Sequence, residues 1–165
     1  RRHTGHFTTR LFVAQLQRPT SAGGHMQVLI NIDVDDLDRA IQFYREAFGL
    51  EVTRRFGGDG AELQGAGAPI YLLRKPQGSR PAGTVAGGRD YARHWTPVHL
   101  DFVVDDVDNA VSTAVAAGAI LEDPPHTHAW GRIAHLCDPF GHGLCIMQFV
   151  GQGYDAISTV ENNPP

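Results

Sequence analysis

The sequence predicts an α+β protein built from two tandem βαβββ modules. Residues 29–41 read LINIDVDDLDRAI and residues 99–111 read HLDFVVDDVDNAV, near-copies with Asp36 and Asp106 in register. Val34/Val104, Asp35/Asp105, Asp38/Asp108 and Ala40/Ala110 also coincide. In both copies a period of two gives way to a period of 3.6, as when a strand hands over to a helix. Behind each copy, short β-prone runs are separated by Gly- and Pro-rich punctuation.

The first module is placed at residues 26–75. Val28, Ile30, Ile32 and Val34 alternate with Leu29, Asn31 and Asp33, so one strand face is apolar and the other carries polar groups. Asp35 is the expected N-cap, with Asp38 near the positive end of the helix. Leu37, Ile41, Tyr44 and Phe48 recur at helical spacing, and Gly49 sits where helices end. Strands are expected near Glu51–Phe56, Ala61–Gln64 and Pro69–Arg74. Residues 76–97 form a Gly/Pro-rich connector, either a solvated linker or an arm covering a site.

The second module, residues 98–150, repeats the plan. Val98, Leu100, Phe102 and Val104 alternate with His99, Asp101 and Val103. Asp105 is the expected cap, and Val107, Val111, Ala114 and Val115 mark a helix ended by Gly118. Strands are expected at Ala119–Glu122, Arg132–Cys137 and Gly143–Phe149, the last two joined by the Asp138-Pro139-Phe140-Gly141 turn. The histidines of HTH, 126–128, fall in a Pro-flanked loop. Residues 151–165 are a tail. Residues 1–25 contain no acid, the first being Asp33. They read as an N-terminal extension, a transit-type leader or an added segment, before a natural start at Met26.

A net charge of −4 gives no reason to expect nucleic acid or an anionic membrane as partner. No apolar run approaches the roughly 18 residues that span a bilayer. Two cysteines suit a reducing, cytoplasmic setting rather than a disulfide framework. No Ser-His-Asp order, Walker loop or dinucleotide fingerprint is present, and GGDG and GAGAP are turn glycines with no helix behind them. No organic cofactor is predicted.

Two stretches, strand-VDDLDRAIQFY-x₃-FGL and G-x-I-x₄-DPFGH, resemble the vicinal oxygen chelate superfamily of glyoxalases, bleomycin-resistance proteins and extradiol dioxygenases. The resemblance covers roughly residues 26–150. It implies that the two modules form a curved mixed sheet around a central cavity, a funnel around a ligand, and it implies a homodimer. In metal-dependent members it also implies His or Glu ligands at the start of each unit's first strand and the middle of its last. Those positions fall on Leu29, Tyr71, His99 and Cys145, of which only His99 is of the expected type.

Alternation turns Tyr71, Leu73, Cys145, Met147 and Phe149 toward the cup with His99 and Asp101. The candidate ligand-binding residues are Asn31, Asp33, Leu73, Asp101, Cys145, Met147 and Trp95. His99 and Tyr71 are the catalytic candidates, and His99 is the one metal candidate, its co-ligands unassigned. Bland readings compete with these: Met147 and Phe149 as core filling, His99 as a core histidine bonded to Asp101, Tyr71 or a carbonyl. Tyr91 and Trp95, in RDYARHW, would cap the pocket or pack at an interface. The leading functional expectation is binding of a small apolar or aromatic molecule without the usual metal set. The alternative is a lyase, isomerase or dioxygenase using a divalent metal on a non-standard ligand set around His99, or metal-free chemistry by His99 and Tyr71. A catalytically silent subunit is a third reading.

Overall fold

The computed structural model describes residues 27–81 and 86–159. The expected leader, four connector residues and the end of the tail therefore lie outside the described residues. The first module runs β1 (Ile30–Val34), α1 (Leu37–Phe48), β2 (Glu51–Arg55), β3 (Gly60–Gln64) and β4 (Ile70–Arg74). The second runs β5 (Leu100–Val103), α2 (Val107–Ala116), β6 (Ile120–His128), β7 (Gly131–Cys137) and β8 (Gly143–Phe149), followed by a 3-10 turn at Gly153–Ala156. Each module forms a four-stranded mixed sheet, ordered β1-β4-β3-β2 and β5-β8-β7-β6. In each, the first strand lies parallel to the last, and the remaining pairs are antiparallel.

The apolar strand faces are buried under the helices as the alternation requires. Ile32, Val34, Ile70 and Leu72 close on Leu37, Ile41 and Tyr44 in a core shared with Val107, Val111, Leu136 and Ile146. Burying these side chains is the main force holding each helix to its sheet, at about 1.5–3 kcal/mol per large apolar group.

Three expectations are corrected. The N-caps are Asp36 and Asp106, whose carboxylates accept from the N–H of Arg39 and Asn109, each at 3.0 Å. An Asp at position i reaches the free N–H at i+3 only if it is the last extended residue, so the caps fall one residue later than Asp35 and Asp105. Second, β6 continues through Pro124 and Pro125 to His128, so His126 and His128 are strand residues. It is an edge strand with register shifts at Leu121/Asp123 and Asp123/His126, where missing proline N–H groups break no ladder. Third, the leading strands start at Ile30 and Leu100, leaving Leu29 and His99 just ahead of them.

Helix α1 ties the modules together. Phe48 stacks on Phe102 of β5 with centroids 3.9 Å apart and planes 12° from parallel. The buried Tyr44 hydroxyl donates to Asp138 Oδ2 at 2.8 Å, in the β7–β8 turn. Burial first, then the Asp138 charge, pushes that phenol well above its ordinary pKa, so it stays a donor. Among the described residues, no helix is long and apolar enough to cross a membrane.

Candidate functional site

The register makes equivalent rows across the two sheets. In the first module Asn31, Tyr71, Glu62 and Arg54 are successive cross-strand partners. In the second the same row is Asp101, Cys145, His135 and Asp123. One architecture thus displays two different chemistries.

The first row is closed on itself. Tyr71 donates to Glu62 Oε2 at 2.6 Å, Arg54 Nε at 2.9 Å, Thr53 Oγ1 to Oε1 at 2.8 Å and Gln64 at 3.1 Å. Arg54 first, then Tyr71, holds the Glu62 carboxyl down to about 2. The same bond to Glu62 is the main cause raising Tyr71. Phe56 stacks beside Tyr71 at 6.0 Å. Tyr71 therefore already has its hydrogen-bond partner, and Leu73 lies on the same strand. Neither lines the cavity described next.

The second row carries a different set of contacts. Just before β5, His99 Nε2 lies 3.3 Å from Asp101 Oδ1. Ligand atoms of His99, Asp101 and Cys145 all fall within 4.8 Å of one another. Burial foremost, then hydrogen bonding to Asp101, pushes the Cys145 thiol up to about 12. Asp123 lies 2.9 Å from His126 and 3.5 Å from His135. The His126 bond is the main cause lowering the Asp123 carboxyl. Cys145 pairs with His135 and Cys137 with Gly143, and both cysteines are free.

A cavity of about 430 Å³ lies at the seam between β1 and the start of β5. Asn31, Asp33 and His99 line it with the apolar Ile30, Leu100 and Leu144. Met147 is fully buried, receives the Tyr154 hydroxyl at 4.0 Å and does not line this cavity. Phe149, expected to point inward, is instead exposed in an aromatic cluster with Trp130 and Tyr154.

The connector's second half is a strap laid over this seam. Arg89 pairs with Asp33 at 2.6 Å, its backbone bonds to Gly78 and Ser79, and Tyr91 donates to the Lys75 carbonyl at 2.8 Å. Arg93 pairs with Glu122 of β6. Trp95 tilts over His99 with centroids 4.7 Å apart and rests directly on Gly143, where any Cβ would collide with the indole. Gly141 has φ +86°, and a side chain there would strike the Ala92 carbonyl. These two glycines cradle the strap. Glu62 and Asp123 are not among the residues the sequence nominates; the available signal is an acid inside an apolar strand, as in AELQ.

Paired βαβββ modules, with a crevice at their seam, define the class to which such a chain belongs. The model of the Glyoxalase-like domain family matches residues 29–147, and the chain belongs to that family. It is 29% identical over 121 residues to the anthracycline biosynthesis protein DauV of Streptomyces sp. (strain C5), covering 72% of this chain and 40% of that protein. It is 27% identical over 131 residues to the anthracycline biosynthesis protein DnrV of Streptomyces peucetius, covering 78% and 43%. The chain thus spans about two-fifths of the length of these curated relatives. Among solved structures, a glyoxalase-related enzyme from Fulvimarina pelagi superposes with TM-score 0.59 at 20% identity, over 74% of this chain and 87% of that one. That likeness shows the shared fold.

Proposed function

We propose that the chain binds a planar aromatic or largely apolar small molecule at the seam cavity, independently of the metal set usual for its superfamily. The observation that carries this reading is the donor chemistry. Of the four positions where the superfamily places ligands, Leu29 offers no donor, and Tyr71 is committed to Glu62. What remains is a mostly apolar crevice with Asn31 and His99 available to orient a ligand, the Asp33 carboxylate being paired with Arg89. Two relatives act in the biosynthesis of anthracyclines, which supports a flat polycyclic ligand.

A second reading has its own observation, the His99, Asp101 and Cys145 cluster. Tetrahedral Zn²⁺ with bonds of about 2.0–2.1 Å to N and O needs those donors roughly 3.3 Å apart. His99 and Asp101 already stand 3.3 Å apart. These three residues fit a soft divalent ion, with Cys145 giving up its proton on binding. When bound, such an ion supplies Lewis-acid activation of a ligand oxygen.

Titration with 1,4-dihydroxyanthraquinone, with and without a chelator, separates the two. The first reading expects the same Kd in both and loss of binding in Asn31→Trp, which fills the crevice. Binding that disappears with chelator, together with metal bound by the wild type and lost in Cys145→Ala, would overturn it in favour of the second.

A further inference from the structure

We propose that His94 and His142 together hold one proton more than two neutral imidazoles carry, and that this proton latches Trp95 over His99. As a form of regulation the latch rests on the reading of the seam as the ligand site. Its existence does not.

The argument is a count of hydrogens. His94 Nδ1 lies 2.9 Å from the Ala92 carbonyl oxygen, and His142 Nε2 lies 2.8 Å from the Asp33 carbonyl oxygen. Carbonyl oxygens only accept, so each of these nitrogens must carry a proton. The remaining nitrogens, His94 Nε2 and His142 Nδ1, face each other at 2.9 Å and need one proton between them. The chain of contacts therefore needs three ring protons, and two neutral imidazoles have two. The pair carries one positive charge whichever ring holds the third proton.

The pair joins three parts of the molecule: β1 through the Asp33 carbonyl, the strap through His94, and the β7–β8 turn through His142. The strap is fixed again by the His94 N–H, which donates to the Gly141 carbonyl at 2.9 Å. The next residue is Trp95. Removing the third proton leaves two lone pairs opposed at one junction, which weakens the strap's hold on the seam there. Protonation closes the latch and deprotonation loosens it.

The surrounding charges are compatible with this. From β1, the Asp33 carboxylate is already paired with Arg89 of the strap. Tyr91 stands edge-on to His142 at 6.2 Å, and Arg93 reaches the Gly141 carbonyl at 3.5 Å. Tyr44 of α1 and His99 line the same cavity. From the turn, the buried Asp138 carboxylate accepts the His142 backbone N–H at 2.9 Å.

Two measurements test this without any ligand. In ¹⁵N-resolved NMR of the intact chain near neutral pH, three of the four ring nitrogens of His94 and His142 are expected to be protonated; two would overturn the proposal. The second follows acrylamide quenching of Trp95 in a Trp130→Phe background across a pH series. Quenching is expected to rise with pH. In His94→Gln the amide donates to His142 Nδ1 with no extra proton, so Trp95 stays seated on Gly143 and the profile becomes flat. A pH transition that survives His94→Gln places the titrating group elsewhere and overturns the latch. If the latch holds while the anthraquinone fails to bind, the ligand reading fails alone; the reverse outcome sinks the latch alone.

Discussion

Leu29 and His99 stand at matching points of two similar stretches, yet only His99 carries a side-chain nitrogen that can bind anything. The same divergence runs along the cross-strand rows. Glu62 is buried because four side-chain donors satisfy it, an arrangement that would be costly with any of them missing. Its folded-state pKa, about 2, lies below the ordinary 4.5. Its contribution to stability is therefore complete above about pH 4.5 and lost as pH falls toward 2. Thermal melts should show wild type losing more Tm than Glu62→Gln across that window; parallel curves would contradict the assignment. Gly143 invites a second test. Alanine there collides with the Trp95 indole, so Gly143→Ala should lift Trp95 from His99 and raise its quenching while far-UV dichroism stays unchanged.

At the level of elements, the repeated VDD is helix-starting chemistry. The carboxylates of Asp36 and Asp106 satisfy the N–H groups at i+3, and Asp38 and Asp108 lie in the first turns, where negative charge is favoured. Asp106→Ala should cost about 1 kcal/mol in chemical denaturation, while Asp105→Ala should leave the midpoint nearly unchanged. Asp108 also pairs with Arg132 of β7, so α2 is pinned to its sheet at its start as well as along its apolar stripe. β6 shows a different balance. Its two prolines read as a break, but an edge strand needs hydrogen bonds on one side only. Tertiary pairing with β7 overrode local propensity there and brought Asp123 beside His135.

For the molecule as a whole, α1 is the joint between modules. Tyr44→Phe removes a buried donor from Asp138 and should cost about 1–3 kcal/mol, more than an exposed tyrosine would. Phe102→Ala deletes the stacked partner of Phe48 and should cost about 2 kcal/mol or more, as large-to-small changes at packed sites do. If both variants unfold in one cooperative transition, the modules share their stability; two separate transitions would show that they do not.

Much of this was legible in the sequence. Periods of two and 3.6, the repeated cap motif and the DPFG turn are local signals, and they determine the βαβββ order, which strand faces are apolar and where the helices lie. They also place His99, Asp101 and Cys145 on one face, because alternation along β5 and β8 leaves no other arrangement once those strands are parallel neighbours. Sequence could not show that Tyr71 is committed to Glu62, that His135 meets Asp123 across an irregular edge, or that Trp95 returns to lie on Gly143. Each of those contacts joins residues from different elements, with a register and a strap path set by packing. Local pattern determines which side chains a strand offers to the seam; the tertiary structure decides which of them remain free to bind, because a donor already satisfied by a neighbour has little left for a ligand.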